Sequence, residues 1–267
     1  MTAIITDTLK KQLLTNIITD IDSAANDYYI GVGRSETWDG TDTAPTPKNA
    51  QRDTRNLGLS LQSVKAVADK SLVVPRTDWS SGATYSSFND NVEGHPVSAY
   101  YVFTDENHVY ICLQAGRNAT GNVVNSTVKP TGTSTNAFKA ADGYVWKFLF
   151  SIGALTASKF LSANFLPVTF IVSTDSDSPA SIVEQKGIQD AAVAGEIVGY
   201  TVTAGGTGYT STPTATIVGN GGTLAKADVT VSGGAVSKLD ARDSSGTLVF
   251  GAGYTYASIT LSGGGGT

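Results

Sequence analysis

Cysteine, methionine, histidine and charge are all scarce in this chain. One Cys, one Met and two His occur in 267 residues, and only 15% of the residues are charged. A single thiol, Cys112, excludes an intrachain disulfide. It lies within the apolar run Val109-Tyr110-Ile111-Cys112-Leu113, where a buried and inert thiol is expected. His95 and His108 have no Cys or His partner at metal-ligand spacing, so no metal and no cofactor are expected. The net charge of −5, with no basic cluster to set against it, argues against a nucleic-acid surface. No apolar run approaches the length of a membrane span. The first residues carry no basic region ahead of a short apolar core, so no signal peptide is expected and the chain is expected to stay in the cytoplasm after synthesis.

Catalytic motifs are missing as well. There is no Gly-rich phosphate loop ending in Gly-Lys-Ser/Thr and no Gly-x-Ser-x-Gly elbow. Ser126-Thr127-Val128-Lys129 fits Ser-x-x-Lys, but it stands in a polar loop directly before Pro130, which a helix does not easily continue through. Asp175 and Asp177 have a calcium-like spacing without the glycine and distal glutamate of a binding loop. The sequons at Asn118 and Asn125 matter only on a secreted chain. The glutamates Glu36, Glu93, Glu106, Glu184 and Glu196 stand in no recognisable catalytic context. The chain reads as a non-enzyme.

Glycine and apolar residues are what the chain does have, 29 Gly and 40% hydrophobic residues. That is the composition of an ordered protein of strands and turns. Its centre is Asp142-Gly143-Tyr144-Val145-Trp146-Lys147-Phe148-Leu149-Phe150. Asp-Gly tolerates positive φ and starts a strand sharply. The alternation that follows sets Tyr144, Trp146, Phe148 and Phe150 on one face and Val145, Lys147 and Leu149 on the other. Such a strand belongs in the middle of a sheet covered on both sides.

In chain order, Leu9, Leu13, Ile17, Ile21 and Ala24 predict a helix from about Thr6 to Asn26. Tyr28 to Gly33 reads as a strand. Leu57, Leu61, Val64 and Ala68 predict a second helix from Asn49 to about Lys70, weakened by Gly58. Strands follow at Val97 to Phe103 and Val109 to Gln114, joined by the turn Asp105-Glu106-Asn107. The central strand comes after a polar loop from Arg117 to Phe138, and Phe165 to Val172 closes this part. Residues 1–172 are expected as a core and 173–189 as a linker. Residues 190–267 are expected to form a Gly/Thr/Tyr-rich β unit. There Gly206-Thr207-Gly208-Tyr209-Thr210 recurs as Gly251-Ala252-Gly253-Tyr254-Thr255. Strand-like segments precede and follow each copy, a duplicated β unit in which each tyrosine should pack on the strand after it.

Arg34 and Arg76 each stand a few residues from a tryptophan, Trp38 and Trp79. Arg and Trp are enriched at interface hot spots, and guanidinium stacks on indole, which makes these four residues candidates for a protein interface. The alternative is that both tryptophans belong to the core and both arginines cap local carbonyls.

Three segments in this order resemble the gene product 8 family of T4-like bacteriophage baseplate wedge proteins. They are Val32-Gly33-Arg34-Ser35-Glu36-Thr37-Trp38, Val74-Pro75-Arg76-Thr77-Asp78-Trp79, and Asp142 to Phe150, with Tyr110-Ile111-Cys112-Leu113 as a weaker fourth. The match spans roughly residues 28 to 172. The resemblance implies a mainly β protein, a layered β-sandwich with two helix-bearing segments, to which the repeats read above add a Gly-rich C-terminal β unit. It also implies a homodimer that binds other wedge subunits in the virion tail baseplate, after assembly in the host cytoplasm. The Gly-Tyr-Thr repeats depart from that family's pattern. They motivate a second reading, a surface-exposed adhesin or glycan-binding module of a phage tail, and a hydrolase stands third.

Overall fold

The computed structural model describes residues 7–33, 51, 55, 58–90 and 99–267. Within them the protein is mainly β, built from several small sheets with three helices and no barrel. The chain divides into two compact units, 1–71 and 72–267. That division differs from the one expected at 173–189.

In the first unit α1 spans Asp7–Asp22. Acidic side chains at its end oppose the helix dipole, and here they are answered by donors. Asp20 accepts from Asn26 Nδ2 at 2.7 Å and from the Tyr28 hydroxyl, and Asp22 pairs with Lys70. The bond to Asp20 raises the Tyr28 phenol above its ordinary range. β1 (Tyr29–Gly33) pairs antiparallel with β2 (Leu61–Ala66), matching Ile30 with Lys65 and Gly31 with Val64. The second helix expected over 49–70 is therefore corrected in its C-terminal half, which is a strand, whereas residues 51, 55, 58 and 59 are helical where described. Leu61, Val64 and Ala68 have helical spacing, but β1 otherwise exposes a row of backbone donors and acceptors, and β2 satisfies one edge. Leu61 lies over Gly31, where an added Cβ would meet its Cδ2 at 2.9 Å.

The second unit is organised around a four-stranded antiparallel sheet in the order β4-β5-β7-β6. Its strands are β4 (Tyr101–Phe103), β5 (His108–Gln114), β6 (Phe138–Lys139) and β7 (Val145–Ser151). β7 is an interior strand, as its two rich faces require. Gly143 turns into it at φ +89°. Tyr144, Trp146 and Phe148 are fully buried in one cluster with Tyr110 and Cys112. Tyr144 and Trp146 stack at 5.6 Å and 14°. Phe150, expected on the same face, instead joins the opposite cluster with Phe103 and Val109. A bulge explains the difference. Val109 pairs with Phe150 and Tyr110 with Phe148, so the alternation slips at Leu149.

β3 (Leu72–Pro75) and β8 (Phe165–Val168) pair antiparallel, and Val74 and Leu166 pack onto that opposite cluster. α2 (Ala154–Phe160) lies between β7 and β8 in sequence. The segment expected as linker contains α3 (Ala180–Asp190), which opens after Pro179. Ile188 of α3 is buried in the cluster around Trp146, and Ser151 Oγ donates to Glu184 at 2.5 Å. Apolar burial on β7 is what makes this stretch helical rather than solvated.

Beyond α3 come β9 (Thr214–Gly219), β10 (Asp228–Ser232), β11 (Ala235–Asp240) and β12 (Ala257–Ser262). β10 and β11 form a hairpin. Gly233 and Gly234 at its turn both have positive φ, 62° and 76°, as a two-residue hairpin loop demands. The strands that follow the two Gly-x-Gly-Tyr-Thr segments, β9 and β12, pair antiparallel with each other, with Ile217 opposite Ile259. Of the two segments expected as strands before them, Ala235 to Leu239 is one and Ile197 to Thr203 is not.

Candidate functional site

Arg34 and Trp38 lie outside the described residues, as do Glu36, Glu93 and His95. Arg76 and Trp79 lie on the segment that leads from β3 toward β4. It is held by Trp79 N donating to Phe103 O and Phe103 N to Thr77 O, both at 2.8 Å. Arg76 folds back onto its own subunit. Its Nε donates to Asp78 Oδ1 at 2.7 Å, its Nη1 to Ser162 O at 3.0 Å, and its guanidinium lies 4.9 Å from the Phe103 ring centroid. Trp79 packs against the main aromatic cluster and donates its indole N–H to Ser126 Oγ at 3.1 Å. The structure brings these two onto neighbouring parts of one segment, the Trp79 indole N–H bonded inside and the Arg76 guanidinium bonded to its own chain at the surface.

Behind Trp79 lies a network organised by Asp142. Its Oδ2 accepts from Ser126 Oγ at 3.1 Å, Thr127 N at 2.8 Å and Val128 N at 2.9 Å. Tyr144, two residues on, donates its hydroxyl to Val124 O at 2.7 Å. The residues that begin the central strand thus also fasten the polar loop before it. Ser126 is fully buried, whereas Lys129 is bound to Asp105 and Glu106 at 2.7 and 2.8 Å. The Ser-x-x-Lys pair is divided between two networks. Burial pushes the Cys112 thiol up to about 12, so it stays protonated at neutral pH. Asp175 accepts from Asp177 N and Ser178 Oγ, both at 3.0 Å, as a local turn. Among the described residues no three His, Cys, Asp or Glu side chains converge to hold a metal, and no helix is long and apolar enough to cross a membrane.

Two further features carry no motif. One is a cleft of about 430 Å³ between residues 117–122, residues 200–205 and the β10–β11 hairpin. The other is the surface of the first unit, in which no described side chain is buried. Leu13, Leu14 and Ile17 on α1 are each at least half exposed, and so are Tyr29, Ile30 and Val32 on β1 and Val64 on β2.

No protein-family model and no curated protein sequence matches the chain.

Proposed function

We propose that this chain is a non-enzymatic structural subunit of a contractile-tail phage baseplate wedge, acting as a homodimer that binds other wedge subunits. In this reading the sheets stack as a layered sandwich, and the Gly-rich strands after α3 add a duplicated β unit. The resemblance of three ordered segments to the gene product 8 family supports it. The single observation that carries it is the state of the helix–hairpin unit. A two-stranded hairpin is marginal in water without further strands or a packed helix. Here both faces of β1–β2 remain open, with Ile30 59% and Val64 55% exposed, although their side chains are apolar. Exposed apolar side chains on both faces of a ribbon mark a surface for association. A second copy of the chain is the partner that a two-fold arrangement supplies.

Sedimentation at micromolar concentration tests the association. The expected species has about twice the 27.6 kDa chain mass. Ile30→Asp with Val64→Asp is expected to yield a monomer whose near-ultraviolet spectrum is unchanged, because neither side chain belongs to an aromatic cluster. A wild-type monomer would remove the dimer. Cryo-EM of intact virions tests the location: density in the wedge supports the reading, and density at fibre tips favours the adhesin.

A further inference from the structure

We propose that the cleft between residues 117–122 and β11 binds an acidic saccharide, its carboxylate held by Arg117 and its hydroxyls by the surrounding hydroxyl and amide side chains. This goes beyond the assembly role and does not depend on it. Two cations, Arg117 and Lys238, line the cleft, and no Asp or Glu does. Arg117 meets a carbonyl, Gly121 O at 2.6 Å, and no carboxylate among the described residues. One of its five donors is used, which leaves a planar fork suited to a carboxylate.

Lys238 belongs to a cluster with surplus positive charge. Lys238 binds Asp240 at 3.0 Å, and Arg242 shares that carboxylate at 3.1 Å while holding Asp228 at 2.7 Å. Lys139 adds a third cation against those two carboxylates. Its ammonium is lowered from its ordinary range, first by burial and then by Arg242. A bound anion would relieve this imbalance.

The walls are already ordered. Ser237 Oγ donates to Ala119 O at 2.7 Å, and Val236 N donates to Gly205 O at 2.8 Å. Gly121 approaches so closely that an added Cβ would stand 2.3 Å from Ser237 O. Tyr200 is anchored by its hydroxyl on Lys226 O at 2.9 Å and presents an aromatic wall. Ser232 lines the cleft with a hydroxyl, and Asn122, which gives one amide N–H to Thr120 Oγ1 at 3.1 Å while Thr120 donates to Asn118 Oδ1 at 2.7 Å, keeps its second N–H and its Oδ1 for a ligand. Hydroxyl and amide groups around an aromatic wall suit a sugar. A bare phosphate is typically held by a helix N-terminus, and no lining residue belongs to a helix. The volume also falls in the range of small-molecule sites, well above that of a simple anion.

Titration calorimetry of the full chain with digalacturonic acid, its neutral counterpart digalactose and inorganic phosphate tests this. The acidic disaccharide is expected to bind at least about tenfold more tightly than either of the others, the scale of one charge-assisted contact. Arg117→Ala should weaken it by about tenfold or more while the variant keeps the wild-type circular dichroism spectrum, and Arg117→Lys should recover only part, since the fork is lost. Ser232→Leu, which narrows the cleft without altering charge, should also abolish binding and keeps the test open if Arg117→Ala fails to fold. Absence of binding at millimolar concentration overturns the proposal. So does equal binding of digalactose, or of phosphate, which would mean an anion site only. Binding unaffected by both Arg117→Ala and Ser232→Leu overturns it too.

Discussion

Trp146 tests the packing argument most directly, because two substitutions there separate effects that one would confound. The indole is wholly buried, stacked on Tyr144 at 5.6 Å and set edge-on to Tyr85 at 5.6 Å and 69°. Removing a buried tryptophan side chain costs about 3–5 kcal/mol, of which each aromatic pair accounts for about 0.5–1.5 kcal/mol beyond its area. The same indole also carries a liability: its Nε1–H has no hydrogen-bond acceptor among the described residues. A buried donor left unmet costs about 1–3 kcal/mol. Trp146→Phe removes that donor and keeps a ring between Tyr85 and Tyr144, so its loss of area is partly offset. Trp146→Ala should therefore lose about 3–5 kcal/mol and Trp146→Phe less than about 2. At about 2–4 °C per kcal/mol for a domain of this size, those losses translate to about 6–20 °C and under about 8 °C in melting temperature. Circular dichroism melts and urea titrations of the three proteins would read both. If the alanine variant melts within about 2 °C of wild type, β7 is not the centre of the core. If phenylalanine costs as much as alanine, the unmet indole contributes nothing.

Four other outcomes follow from particular contacts. Asp142→Ala leaves the Thr127 and Val128 amides and Ser126 Oγ without their acceptor; it should cost about 2–4 kcal/mol by urea titration, in keeping with bonds to a charged acceptor. Gly222→Ala places a Cβ 2.1 Å from the Tyr254 ring and should fail to fold or lose many degrees, whereas Gly187→Ala, with open space around it in α3, should be neutral or stabilising by up to about 1 kcal/mol in the same melts. Asp105 is lowered from its ordinary value, first by the hydrogen bond from Lys129, so its contribution is present above the ordinary carboxylate range and fades as pH falls through the lowered value; Lys129→Met should raise the Asp105 titration seen by NMR. Truncation after Ser178 removes Ile188 from the cluster around Trp146, so the fragment should aggregate or melt well below the full chain; a fragment as stable as the whole would refute the role given to α3.

What the sequence revealed depended on how local its cause was. The central strand was legible because alternation and an Asp-Gly turn lie within ten residues. α1 was legible because one stripe runs through it. The segment 61–66 was misread because its spacing suits a helix equally well, and the partner that decides the matter, β1, is about thirty residues away. α3 was missed because Pro179 reads as loop punctuation. The same proline is a good helix opener, and the face buried on β7 amounts to little more than Ile188. At the site, Asp142 was legible as a turn residue but not as an acceptor, since its donors stand fourteen to sixteen residues earlier. The cleft had no signal at all. Its walls come from residues 117–122 and 200–239, which share no motif.

The duplicated segments show how a visible repeat can conceal its own geometry. Each tyrosine was expected to pack on the strand that follows it, yet the exchange is reciprocal. Tyr209 rests against Gly264 and Gly266 after the second strand, and Tyr254 against Gly219 at the end of the first and Gly222 beyond it. The backbone repeats the exchange. Thr207 and Thr267 trade N–H and C=O at 3.0 Å each, and Ala252 and Thr223 trade theirs at 3.1 and 3.0 Å. Gly206 and Gly251 both take φ +66° to enter these turns. The glycine runs are thus shelves for the other copy's rings, which is why side chains are missing there. In an open array each repeat contacts only its neighbours along the chain, and its end faces need caps. Here each segment instead seats the other's tyrosine. Glycine in each run and tyrosine in each turn are then one requirement met from opposite sides.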